Sequence, residues 1–220
     1  MKKRNCVWLL CIIQGFVAVM NAQVLKVEGG MAFSNLRTSG LERNQLFNKF
    51  VIPFQGSIGI EYLDKKNFNL SSSIGYLRMG GKEKIYQYNG PDPANASLVD
   101  QKYFIDYLTI NTLFNLKRSV HRLTYYLGVG PRVDFKTGVR EAGVESMEYI
   151  DGKQPEVNSA VFGLKCEAGI WYALDDRFRL GANIGYLPSF TKAWISPVVS
   201  DITMATRAFT LGLTLGYALK

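Results

Sequence analysis

The sequence predicts an all-β chain, an eight-stranded antiparallel up-and-down transmembrane β-barrel. Three observations predict it: eight segments alternate with a period of two, their connections alternate short and long, and aromatic residues mark the long-loop end of every apolar face and the short-turn end of seven.

The amino terminus sets the solvent for the rest. Lys2, Lys3 and Arg4 precede a short apolar run over 7–20, and Asn21-Ala22-Gln23 closes it. The run is well short of the ~20 residues of a spanning helix, so it reads as a Sec-type signal peptide, 1–22, cleaved after Ala22. The barrel domain is then 23–220. Cleavage removes Cys6 and Cys11 and leaves Cys166 as the only thiol, which excludes an intramolecular disulfide framework and a multi-cysteine metal site. Trp8-Leu9-Leu10 lacks the small residue expected before a lipid-modified Cys11, which argues against a lipoprotein. Without Lys2, Lys3 and Arg4 the net charge is +5. That modest excess suits anionic lipopolysaccharide or loop solubility, and with no basic stripe in an exported chain nucleic-acid binding is not expected.

No apolar stretch after residue 23 approaches ~18 residues, so membrane entry requires a closed barrel, which satisfies every backbone polar group internally. The first strand, 25–34, sets Leu25, Val27, Met31 and Phe33 against Lys26, Glu28 and Gly30. The second sets Phe54, Ile58, Ile60 and Tyr62 against Gln55, Ser57, Gly59 and Glu61. In the third, Phe68, Leu70, Ile74 and Tyr76 oppose Asn69, Ser71, Ser73 and Gly75. In the fourth, Phe104, Leu108, Ile110, Phe114 and Leu116 oppose Tyr107, Thr109, Asn111 and Asn115. The fifth sets Tyr125, Leu127, Val129, Val133 and Phe135 against Tyr126, Gly128, Gly130, Arg132 and Asp134. The sixth sets Phe162, Leu164, Cys166, Ala168, Ile170 and Tyr172 against Gly163, Lys165, Glu167 and Gly169. The seventh sets Phe178, Leu180, Ala182, Ile184 and Tyr186 against Arg179, Gly181, Asn183 and Gly185. The eighth sets Phe209, Leu211, Leu213, Leu215 and Tyr217 against Thr210, Gly212, Thr214 and Gly216. Connections 63–67, 117–122 and 174–177 are short, and 35–51, 80–102, 138–158 and 187–207 are long, as periplasmic turns and extracellular loops are.

Alternation alone also describes a soluble, lipocalin-like barrel with its apolar face inward. The aromatics decide between them. Phe33, Phe54, Tyr76, Phe104, Phe135, Phe162, Tyr186 and Phe209 fall at the long-loop ends, and Tyr62, Phe68, Phe114, Tyr125, Tyr172, Phe178 and Tyr217 at the short-turn ends. Their separation along a strand, at ~3.3 Å per residue and a tilt of ~40°, spans roughly 20–25 Å, the height of a lipid-facing band. The opposite face mixes glycine with polar groups, which suits a packed polar lumen. Two residues resist: Pro131 implies a bulge or local break, and Asp106 falls by parity on the lipid face, tolerable above the hydrocarbon or at a bulge.

The conspicuous ionisable set is Glu28, Glu61, Arg132, Asp134, Lys165, Glu167 and Arg179, expected in the lumen, with Arg132 and Asp134 near enough to Lys165 and Glu167 to pair. A salt-bridged plug is the favoured reading over a gated or ligand-binding core, and eight strands leave no room for a diffusion pore. The single histidine, His121, sits in a short turn beside Lys117, Arg118 and Arg122, far from any outer-leaflet site, so no catalysis, cofactor or metal is expected.

The run from Tyr107-Leu108-Thr109-Ile110-Asn111 to Phe114-Asn115-Leu116-Lys117, followed by Tyr126-Leu127-Gly128-Val129-Gly130-Pro131-Arg132-Val133, resembles the central strand pair of the PorT-like, porin-family outer-membrane β-barrel domain, with Asn111 where that family often has proline. The resemblance covers most of 24–220 and implies a small barrel of the OmpA and OmpX type in a Gram-negative outer membrane. It also allows a part in envelope secretion or assembly, with envelope protein partners. Thr210-x-Gly212-x-x-Leu215-x-Tyr217 is similar to the signal read by the barrel-assembly machinery. The function expected is that of a non-catalytic barrel, structural or adhesive, with four long outward loops. A soluble ligand carrier and a lipid-modifying barrel enzyme are the other readings.

Overall fold

A computed structural model describes residues 22–39, 47–88, 96–142, 156–195 and 203–219; the expected signal peptide, save Ala22, lies outside them. Eight long strands form the wall: β1 (Ala22–Ser39), β2 (Phe54–Tyr62), β3 (Phe68–Tyr88), β4 (Ala96–Val120), β5 (Leu123–Ala142), β7 (Ala160–Ala173), β8 (Phe178–Pro188) and β10 (Thr203–Ala218). Two short strands, β6 (Glu156–Val157) and β9 (Trp194–Ile195), pair above them. Neighbours in sequence pair antiparallel, and β1 pairs with β10 over 16 residues, so the sheet closes without an edge.

The ladder fixes the tilt. From Lys26 the partners run through Gly59, Ser73, Asn111, Arg132, Gly163, Ser189 and Thr206, and return to β1 at Leu36, ten residues from the start. A stagger of that size over eight strands ~4.8 Å apart corresponds to a tilt of roughly 40°. Every residue on this path faces inward. The cylinder is narrow: a Cβ at Gly59 would stand 2.8 Å from the Ser73 Cβ, and one at Gly169 would stand 2.6 Å from the Tyr126 ring.

Within the band the apolar face looks out, with Phe54 63%, Ile58 57% and Leu213 66% exposed. A lipocalin-like carrier would converge these residues on an interior, so that reading fails. No helix of the described residues is long and apolar enough to cross a membrane, and the crossing elements are the strands.

Above the band the chemistry of the two faces inverts while the backbone parity continues. On β3, Ile74 and Tyr76 point outward, whereas Leu77 and Met79 point inward and are fully buried; on β4, Leu108 points outward and Tyr107, Ile105 and Tyr103 point inward. Ala32, Leu36, Leu187, Met204, Ala208 and Val161 join them from the other strands, and Phe47, Val157 and Ala193 close the top, forming one apolar core. The outer solvent changes from hydrocarbon to water at this height, so the apolar side chains move to the inner face.

This inversion corrects the expected boundaries. Much of the expected loop 80–102 is strand, with Gly80 pairing Phe104 and ladder contacts continuing to Tyr88 and Ala96. The β4–β5 turn narrows from the expected 117–122 to His121 and Arg122, with His121 in the left-handed region at φ 57°. Pro131 makes a local break without a bulge: the β4 pairing skips from Asn111–Arg132 to Phe114–Val129 and resumes in step. The bulge lies higher, where Asp106 and Tyr107 face Gly138 and Lys136.

Candidate functional site

The lumen is filled in tiers. At the short-turn end, the Arg179 guanidinium covers the Trp171 ring at 5.6 Å and reaches Glu61 at 3.5 Å. Asn69 donates to the Glu61 carboxylate and accepts from Asn115. In the middle, Lys165 lies 2.5 Å from Glu167 and 3.8 Å from Glu28, Tyr126 donates to Glu167 at 2.8 Å, and Lys26 donates to Ser71. Higher still, Arg132 lies 3.0 Å from Asp134 and donates to Ser189. The apolar core then caps the column.

All seven expected lumen charges face inward, but their pairing differs from the expected cross-strand arrangement. Arg132 pairs with Asp134 two residues along its own strand, and Lys165 pairs likewise with Glu167; Lys165 reaches across the lumen to β1 at Glu28. On a strand, residues i and i+2 share a face, and in so narrow a cylinder they meet before a tilted neighbour does. The sequence reading left Lys26 out of the set. With it, Lys26, Arg132, Lys165 and Arg179 balance Glu28, Glu61, Asp134 and Glu167, so the column these eight described residues form carries no net charge. Parity with Glu28, two residues on, was the available signal for Lys26. Tyr107 lies on the inward face as its parity predicts, whereas Trp171 was missed as a lumen-filling group because it is a large aromatic on a face otherwise rich in glycine.

The girdles stand as two outward sets with one exception. Phe33 and Phe209 are ladder partners, as are Phe209 and Tyr186, whose rings stack at 4.8 Å. Phe68 stacks on Phe114 at 5.5 Å, and Phe178 meets Tyr217 at 5.1 Å. Phe104 is corrected: Leu108 faces both Tyr76 and Phe135, and Phe104 lies four residues beyond it, roughly 10 Å above the belt. Its ring is covered by the Arg78 guanidinium at 5.7 Å.

Asp106 faces outward, yet its carboxylate is almost fully covered. It accepts from the Tyr76 hydroxyl at 2.6 Å and pairs with Arg78 at 2.5 Å and Arg140 at 3.1 Å. It lies just above the belt, where a charge with such partners is tolerated. Inside the band, the outward hydroxyls of Tyr62, Ser72 and Thr112 bond to one another at 3.0 and 2.9 Å, which satisfies them without water. Cys166 is a free, half-exposed thiol on the same outer face. His121 is exposed in its turn.

The arrangement holds charge in place and fills space. The fold is similar to that of solved barrels: OprG of Pseudomonas aeruginosa superposes with a TM-score of 0.52 at 13% identity, covering 90% of this chain and 96% of that one. Neisserial surface protein A gives 0.47 at 15% identity, covering 89% and 97%. At 13% identity the likeness to OprG is one of fold alone. No curated protein matches the sequence. The family model for the outer membrane protein beta-barrel domain matches residues 21–193. The chain therefore belongs to that family, and it is a protein of the Gram-negative outer membrane.

Proposed function

We propose that this protein is a sealed, non-catalytic barrel whose role is structural or adhesive, exercised by what it holds above the membrane. The observation that carries the reading is the two-tier filling: a charge-balanced column below and an apolar core above, with Leu36, Leu77, Met79, Ile105 and Val161 at 2% exposure or less. A conducting or transporting lumen needs a continuous polar path, and a dry apolar layer across it opposes ions. The long β3–β4 hairpin supports recognition outside, since its ladder continues to Tyr88 and Ala96, well clear of the lipid.

Within the family, the PorT-like assignment rests on the β4 and β5 motifs, and the β10 motif ending at Tyr217 supports handling by the barrel-assembly machinery. The membrane's lipid and lipopolysaccharide are the partners that the outer faces suit.

Planar-bilayer recording of the purified, heat-modifiable protein tests the sealed lumen, with no unitary steps expected. Steady ohmic steps from folded protein overturn it. Excision of 84–100 from the β3–β4 hairpin tests the outward role, with loss of surface attachment expected. Loss caused by substitutions in the 63–67 turn and not by the excision would move the role to the periplasmic side.

A further inference from the structure

Three lysines stand side by side on the outer wall above the membrane. Lys49 and Lys82 exchange both backbone hydrogen bonds, at 3.3 and 3.1 Å, so they are direct cross-strand partners. On its other side Lys82 faces Lys102. Because the Lys82 backbone groups bond toward Lys49, the Lys82–Lys102 position is the non-hydrogen-bonded kind, in which side chains come closest. Like charges directly opposite on a sheet destabilise it.

No described carboxylate closes an ion pair with the row. Glu83, which feels Lys49, turns toward the apolar core and accepts from the Phe47 N–H; burial there pushes its carboxyl above the usual range. Below the row, Arg78 and Arg140 share the single carboxylate of Asp106, and above it Asp100, two residues beyond Lys102, faces Lys84, so this outer face holds six cations, Lys84 included, against two acids.

Depth indicates what covers it. Lys82 and Lys102 lie six residues beyond Tyr76 and Leu108. At ~3.3 Å per residue and ~40° tilt, that is roughly 15 Å above the aromatic belt. Arg78, two residues beyond Tyr76, is roughly 5 Å above it. Acyl chains end at the belt, so this outward ladder of cations spans the layer of sugars and phosphates that a phosphorylated glycolipid presents.

We propose that Lys49, Lys82 and Lys102, with Arg78 and Arg140 beneath, form a site for the phosphate-bearing head group of the outer-leaflet glycolipid, lipopolysaccharide. The site deepens the reading of an outward-acting barrel and rests on it. Phosphate oxygens between the lysines turn a repulsive row into charge-assisted hydrogen bonds.

The test places the full-length mature protein in phosphatidylcholine nanodiscs and titrates lipopolysaccharide carrying its inner-core phosphates, beside the same lipid treated with phosphatase. The double variant Lys82→Gln, Lys102→Gln is expected to lose at least tenfold in affinity for the phosphorylated form and to bind the dephosphorylated form as the parent does. Lys84→Gln, at a lysine that faces Asp100, is expected to stay within twofold. Without glycolipid, the double variant should resist urea at least as well as the parent, because a repulsion is gone. Heat-modifiable migration verifies folding, and the single Lys102→Gln variant serves if the double fails to fold. Unchanged affinity of the folded variant, equal binding of both lipid forms, or equal retention of phosphatidylglycerol would each overturn the site. Such failures leave the conductance and hairpin-excision results untouched, so the two readings fail separately.

Discussion

Replacing Lys165 with methionine removes the cation that holds two carboxylates in the middle of the lumen. Glu167 and Glu28 lie 2.5 and 3.8 Å from its ammonium, and both are 5% exposed or less. Lys26, which donates to Ser71, is left as the nearby cation. Removing one partner of a buried pair costs about 3–5 kcal/mol, because the remaining charge is stranded away from water. At about 1.4 kcal/mol per tenfold, the folding constant falls by roughly two to four powers of ten. With an m-value of about 2 kcal/mol/M, the urea midpoint in phosphatidylcholine vesicles drops by about 1.5–2.5 M. The assay is the ratio of heat-modifiable to unfolded bands after equilibration in urea. The companion variant Lys165→Met, Glu28→Gln, Glu167→Gln removes the stranded charges and is expected to recover most of the loss. A single variant as stable as the parent, or a triple variant no better than the single, would refute the argument that charge balance holds this column.

The outer and inner faces respond differently to the same change. Leu213→Arg, at mid-height on the lipid face, is expected to cost about 2–4 kcal/mol, while Leu98→Arg, exposed on β4 well beyond Leu108 and the belt, should cost under about 1 kcal/mol; equal costs in the same urea assay would place the band wrongly. Ser72→Ala removes the middle of the Tyr62–Ser72–Thr112 chain and should destabilise by about 1 kcal/mol, whereas adding Thr112→Val and Tyr62→Phe should restore stability. Asp175 accepts from the Arg177 and Phe178 N–H groups, which hold its carboxyl below the usual range. Its contribution to the β7–β8 turn is present above the ordinary carboxylate pKa and fades as pH falls through the lowered value. Asp175→Ala should therefore abolish that part of the acid sensitivity, read as amide exchange at 177 and 178. Cys166 should react with a membrane-permeant, apolar maleimide and resist a charged one in intact vesicles.

The amino-acid sequence alone determined the wall and its orientation. Period-two alternation sorted each band residue to a face, and the aromatic positions identified the outer one, because only hydrocarbon rewards an outward Phe54, Ile58 or Leu213. The expected lumen charges all lie inside for the same reason of parity. The alternation misled where the solvent changed. At Tyr76-Leu77 and Tyr107-Leu108 the apolar residue shifts from one face to the other, which imitates the end of a strand in a linear pattern. The ladder continues through it, and with it Phe104 rises out of the belt.

Tertiary structure decided what the linear pattern could not contain. The stagger of ten residues sets which side chains share a height, and so sent Lys165 to Glu28 across the lumen and left Arg132 to Asp134 on its own strand. The apolar cap draws Leu36, Leu77, Ile105, Val161 and Met204 from five strands, far apart in sequence. The lysine row needs Lys49, from a connection outside the regular strands, seated against Lys82. Faces follow from local backbone geometry and are legible residue by residue; neighbours around a closed cylinder depend on its tilt, which exists only once the first and last strands have met.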